Sequence, residues 1–238
     1  MKQLHKRRAV VTGGTRGIGL AIAKKLQANG HEVLITGTTN HSIQNENFIY
    51  HKADFSSLND IQKFSEFLTS YSPDILVNNA GINVNFPFEE ISMALFLKIQ
   101  QVNVTAPFRL CQAVLPSMKK NSWGRIINIA SIWSKISKAG RASYSASKFG
   151  LDGLTAALAA EVAAQNILVN CVSPGFIDTD LTRQTLGEEG IKKMLQQVPI
   201  HRLGKVEEIG AYVAWLASEE NTFISGQNLV IDGGFTRV

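Results

Sequence analysis

Apolar positions along this chain follow two alternating periods. Residues 9–12 form a short apolar run, followed at once by GGTRGIG and then by LAIAKKLQANG, whose apolar positions recur at helical spacing until Gly30 stops them. The pattern predicts strand, glycine turn and helix. EVLIT at 32–36, FIYHKA near Phe48 and DILVNNAG at 74–81 predict further strands, with a helix around 58–70. GRIINIAS at 124–131, ILVNCVSPG at 167–175 and NLVID at 228–232 complete roughly seven strands, and helical stretches precede them. Strands this uniformly apolar suit burial on both faces, so the fold class is α/β: one doubly wound, Rossmann-type domain with a parallel sheet, spanning 1–238. Residues 1–7 read as a basic N-terminal tail.

In such sheets the ligand crevice lies beyond the carboxyl ends of the strands. Glycines follow the first strand, NNAG ends the fourth, Ser131 ends the fifth and PGFIDTD follows the sixth. Four strand ends therefore supply polar or turn residues to one place.

Composition narrows the class of protein. Of 238 residues, 45% are hydrophobic and 18% charged, which suits a folded chain with a large core. No stretch approaches the ~18 apolar residues of a membrane span, and MKQLHKRR lacks the apolar run of a secretory signal, so a cytoplasmic protein is expected. Cys111 and Cys171 have no paired spacing, so neither a disulfide nor a metal site is expected. The net charge of +5 gathers partly in Lys2, Lys6, Arg7 and Arg8, read as a solvated tail, while other cations are interleaved with carboxylates. An anionic small molecule explains that surplus without nucleic acid.

Chemistry enters with TGGTRGIG. Gly13, Gly17 and Gly19 let the backbone turn tightly against a pyrophosphate, which then rests on the amides and dipole of the next helix. The second strand ends in Thr36, Gly37, Thr38, Thr39 and Asn40, with no carboxylate to repel a 2′-phosphate, while Arg16 offers a guanidinium. NADP(H) is therefore expected over NAD(H). Tyr144 and Lys148, four residues apart, share one helix face.

Gly13, Gly17, Gly19, NNAG, Asn103, Ser131, the Tyr144/Lys148 pair and SPG together resemble the motif series of the classical short-chain dehydrogenase/reductases over nearly the whole chain. GFIDTDLT, VPIHRLGKVEEI and SGQNLVIDGGF are most similar to the bacterial 3-oxoacyl-[acyl-carrier-protein] reductases within that family. The resemblance implies that Tyr144 is the general acid, that Lys148 assists it and holds the nicotinamide ribose, that Ser131 binds the carbonyl oxygen and that Asn103 supports proton supply. It also implies a cofactor shell: Thr15 and Ile18 beside the glycines, Thr38, Asp54 and Phe55 at the adenosine, Asn79, Ala80 and Gly81 along the ribose, and Pro174, Gly175, Ile177 and Thr179 at the nicotinamide. Asp54 has an equal reading as the cap of the next helix. Trp133 either narrows the substrate pocket with Ser131 and Tyr144 or is a core or interface residue.

The resemblance further implies a homotetramer and a carbonyl substrate, either a 3-oxoacyl thioester or a small free ketone, sugar or secondary metabolite. The resemblance makes acyl carrier protein a candidate partner; the basic residues that carrier-linked members have near Ser122 and Gln165 are missing here, and Lys119, Lys120 and Arg125 are the cations that could compensate. A non-enzymatic NADP-binding sensor is the remaining reading, opposed by the full set Asn103, Ser131, Tyr144 and Lys148.

Overall fold

Strand β1 (Arg8–Val11) lies inside a parallel sheet, paired on one side with β2 (Glu32–Gly37) and on the other with β4 (Ile75–Asn78). β3 (Ile49–Lys52), β5 (Gly124–Ile129), β6 (Ile167–Pro174) and β7 (Asn228–Ile231) complete the order β3-β2-β1-β4-β5-β6-β7. The computed structural model describes residues 6–40 and 47–238. Residues 1–5 of the expected tail lie outside the described residues.

Alternate strand residues feed two separate cores. Ala9, Val11, Ile75 and Val77 pack with α1 (Gly17–Ala28) and α7 (Val206–Leu216), while Val10 and Leu76 point the other way. That opposite core receives α2 (Leu58–Tyr71), α4 (Ala106–Asn121) and α5 (Ala142–Val162). Each fully buried aliphatic contributes about 1.5–3 kcal/mol, so the sheet is held from both faces, as its uniform apolarity predicts. α3 (Met93–Gln100) precedes α4, and α6 (Asp180–Leu195) follows β6.

The reversal of strand order falls between β1 and β4, whose carboxyl ends open a crevice. Local signals position its walls. Gly30, at φ +89°, ends α1 and turns the chain into β2. Ser57 caps α2 by accepting from the Asp60 amide at 3.2 Å, so the cap of that helix is Ser57 and not Asp54.

Two cations expected in a loose tail are built into the fold. Arg7 binds Glu219 at 2.9 Å and stacks over Trp123 at 4.0 Å, and Arg8 opens β1. Among the described residues, no helix is long and apolar enough to cross a membrane, and no cluster of His, Cys, Asp or Glu has the makings of a metal site. Cys111 and Cys171 are buried free thiols.

Candidate active site

Thr12, just past β1, clamps the glycine turn to the end of β4. Its hydroxyl oxygen accepts from the amides of Asn79 at 2.9 Å and Ala80 at 3.0 Å. The Asn79 amide group returns bonds to the carbonyls of Thr12 at 2.9 Å and Gly13 at 3.1 Å. Gly13 adopts φ +63°, a left-handed conformation costly for other residues. A Cβ on Gly19 would sit 2.3 Å from the Gly13 carbonyl oxygen, so only glycine lets the helix start fold this tightly onto the loop. Arg16, the residue before α1, has no acceptor to offer the first-turn amides, which leaves them to an anion.

The turn forms one wall of a cleft of about 540 Å³. Every adenosine-side residue expected from sequence lies on it: Gly13, Thr15, Arg16, Gly17, Ile18, Gly19, Thr38, Asp54, Phe55, Asn79, Ala80 and Gly81. Hydrogen bonds from Ser56 hold the Asp54 carboxyl below its usual range, so it is ionised at neutral pH. Lys98 and Asp180 also line the cleft; Asp180 closes the PGFIDTD stretch expected there, whereas no local motif marks Lys98.

The cleft runs into a smaller cavity of about 210 Å³ lined by Ser131, Tyr144, Lys148, Pro174, Gly175, Ile177 and Thr179. Ile82, Asn83 and Thr182 line it as well. Ser131 accepts a bond from the Trp133 amide at 3.3 Å, which occupies a lone pair and leaves its O–H proton to donate elsewhere. The Ser131 carbonyl accepts from the Ser134 hydroxyl at 2.6 Å. Ser134 is joined in turn to Ser173 at 3.0 Å and to Asn228 at 2.9 Å, so the ends of β5 and β6 and the start of β7 are tied behind the reactive hydroxyl.

Lys148 is buried, with its ammonium donating to the Ile129 carbonyl at 2.7 Å and lying 5.6 Å from the Tyr144 ring centre. Loss of hydration lowers its pKa to about 8. Burial raises the Tyr144 phenol, while Ser131 and the Arg141 guanidinium act in the opposite sense. Tyr144 is thus a protonated acid at neutral pH, next to a cation whose own proton is held loosely.

Asn103 sits in a π-helical turn, Gln101–Thr105, between α3 and α4. Its side chain accepts from the Ile82 amide and donates to the Ile82 carbonyl, both at 2.9 Å, and donates to Ser147 at 2.9 Å. The π turn widens the helix at a residue whose side chain reaches the cavity wall, a common use of that irregularity. A Cβ on Gly81 would meet the Asn103 side-chain oxygen at 3.3 Å and the Lys148 nitrogen at 3.6 Å.

Two expectations need correction. Trp133 does not line the catalytic cavity: it is 6% exposed and packs edge-on against Phe176 at 6.4 Å, because the short 3-10 turn after Ser131 directs the indole inward. Arg125 is no docking cation. It is 2% exposed, and its guanidinium is spent on the carbonyls of Gly124, Asn166, Ser218 and Asn221.

The cleft fits a phosphorylated dinucleotide: a glycine cradle that a Cβ would fill, uncapped helix amides, and a β2 end free of carboxylates with Arg16 on the same wall. Known proteins agree with this fit. A family model described as enoyl-(acyl carrier protein) reductase matches residues 13–236. The chain is 38% identical to the 3-oxoacyl-[acyl-carrier-protein] reductase of Aquifex aeolicus, covering 98% of both chains. It is also 38% identical to the Escherichia coli enzyme of the same name, covering 97% of each. A gluconate 5-dehydrogenase from Burkholderia cenocepacia, solved with NADP and tartrate, superposes with TM-score 0.90 at 30% identity, covering 99% of this chain and 97% of that one. Sequence, sheet order and nucleotide cleft converge on one conclusion: the chain belongs to the classical short-chain dehydrogenase/reductase family and is an NADP-dependent oxidoreductase acting on CH–OH groups.

Proposed function

We propose that the protein reduces the ketone of a 3-oxoacyl thioester to a secondary alcohol. The observation that carries the chemistry is the meeting of Ser131, Tyr144 and Lys148 in one cavity that opens onto the nucleotide cleft. The thioester is favoured by the 3-oxoacyl-[acyl-carrier-protein] reductases among the relatives. NADPH, when bound, supplies hydride to the carbonyl carbon. Ser131 donates a hydrogen bond to the carbonyl oxygen and stabilises the charge that grows there. Tyr144 gives that oxygen its proton, and the Lys148 cation favours the phenolate left behind. Asn103 fixes the Ile82 backbone beside them.

Acyl carrier protein is the proposed donor of the substrate. Lys119 and Lys120, exposed at the end of α4, are the cations left to receive its acidic surface once Arg125 is set aside. A cytoplasmic site of action goes with this reading.

Oxidation of NADPH followed by absorbance, with a 3-oxoacyl thioester on carrier protein, on coenzyme A or as a simple ester, tests the proposal. Tyr144→Phe removes only the transferred proton, so it should cost about 10²-fold or more in kcat with NADPH affinity retained. Near-normal turnover by that variant refutes the assigned acid. A carrier-bound substrate no better than a free ketone refutes the thioester.

A further inference from the structure

Tyr50 lies on the edge strand β3, in register with Ile35 of β2, and its half-buried ring packs against the core shared with α1 and α7. Its hydroxyl reaches elsewhere. It donates to the carbonyl of Thr39, eleven residues back along the chain. Thr39 lies two residues past the end of β2, next to Thr38, and both are exposed. Among the described residues, Thr38 and Thr39 make no other hydrogen bond. One side chain of the neighbouring strand thus holds the turn by which the chain leaves the sheet.

The residues just before that turn are fixed on every side. Thr36 accepts the Gly13 amide on its hydroxyl at 3.0 Å and the Gly14 amide on its carbonyl at 3.1 Å, which ties the end of β2 to the glycine turn. The Gly37 carbonyl accepts from the Ala53 amide at 2.9 Å. A Cβ on Gly37 would lie 2.7 Å from the Thr15 methyl and 3.0 Å from the Tyr50 hydroxyl, so Thr15 and Tyr50 close around a position that only glycine fits. Thr38 follows at once and shares the cleft wall with Arg16. Groups that meet an anion bind it more tightly when they are held in place beforehand, because ordering a free turn on binding costs affinity.

We propose that Tyr50 is a positioning residue for cofactor choice: its hydroxyl presets the Thr38–Thr39 turn so that Thr38 and Arg16 together meet the 2′-phosphate of NADP(H). The inference rests on the 2′-phosphate lying at Thr38 and Arg16, and it does not depend on which ketone is reduced. NADH carries a hydroxyl in place of that phosphate and draws little on the turn.

Tyr50→Phe tests this, since it keeps the ring beside Gly37 and removes the bond to Thr39. In fluorescence titrations its affinity for NADPH should fall about three- to tenfold, the range set by one hydrogen bond, while that for NADH changes less than about twofold. Adenosine 2′,5′-bisphosphate against 5′-AMP, which differ only in the 2′-phosphate, should repeat the split with no nicotinamide present. In a Thr38→Ala background the same substitution should cost less than in the parent, because the two residues act as one unit. A merely structural role would weaken both cofactors alike. A ratio of NADPH to NADH affinity that stays at the parent value in Tyr50→Phe therefore overturns the inference, whatever happens to the melting temperature. Equal affinities of the parent for the two cofactors would refute the 2′-phosphate site itself, and the inference with it.

Discussion

Lys148 donates to the carbonyl of Ile129 at 2.7 Å, which fastens the first half of α5 to the end of β5, two residues before Ser131. One hydrogen bond thus fixes the distance between the element that carries Tyr144 and the strand end that carries Ser131. The ammonium satisfies one of its three donors this way, and burial penalises its charge.

The consequence is a pH dependence set by Lys148, whose pKa lies at about 8 against an ordinary 10.5. Tyr144 needs a cation beside it, so activity should decline as pH rises through about 8. kcat/KM for NADPH, which reports ionisations of the free enzyme, should show this descending limb, and a flat profile to high pH contradicts it. Stability should move the other way. Between the two values the unfolded chain binds more protons than the folded one, so the cofactor-free protein should gain stability with rising pH in that window.

Thr38 lies at the end of β2, on the same cleft wall as Arg16. A carboxylate there would repel a 2′-phosphate and accept from a free 2′-hydroxyl. The unmodified protein should therefore bind NADPH at least about tenfold more tightly than NADH, and Thr38→Asp should erase or reverse that preference. Dissociation constants from fluorescence titration decide it, and equal values in the parent protein defeat the idea.

Much of this architecture was legible because the chemistry demands particular residue types at particular spacings. The glycine turn, the four reactive positions and the seven strands each leave a local signature. Other features leave none. The π turn around Asn103 arises from one extra residue in a helical run, which no residue type announces. Arg125 reads as a surface cation until its four carbonyl partners, three of them distant in sequence, are assembled. Trp133 sits beside Ser131 in sequence, yet a single 3-10 turn directs its ring away from the cavity. Composition and spacing report type and proximity along the chain, not the direction in which a side chain points.

Asn103 holds both the amide and the carbonyl of Ile82. Asn103→Leu keeps the bulk and leaves both backbone groups unpaired, at a cost of about 2–3 kcal/mol. The melting temperature should fall by roughly 5–10 °C, and kcat should fall as the Gly81–Ile82 wall loosens beside Lys148. Asn103→Asp, which keeps the acceptor for the Ile82 amide, should be less damaged. Unchanged melting in Asn103→Leu would show that Ile82 finds other partners.

α5 carries an exposed face of small residues. Ala146, Gly150, Gly153, Ala156, Ala157 and Ala160 are exposed along it, with Phe149 beside them, and Phe108 is exposed on α4. A Cβ on Gly153 would meet nothing within 4 Å, so packing within the subunit does not require glycine there. Mid-helix glycine costs about 1 kcal/mol relative to alanine, a loss that a second backbone in close contact would offset. The expected partner is the same helix of a second copy, in a two-fold contact within a homotetramer. Ala159, on the same helix, is 4% exposed and belongs to the core, so a large residue there would damage folding and report nothing about assembly. Ala156→Arg and Ala160→Arg are the informative variants. Each should shift sedimentation toward smaller species and lower activity together, because the partner helix keeps the segment bearing Tyr144 and Lys148 rigid. A parent protein that sediments as a fully active monomer at micromolar concentration would defeat this account.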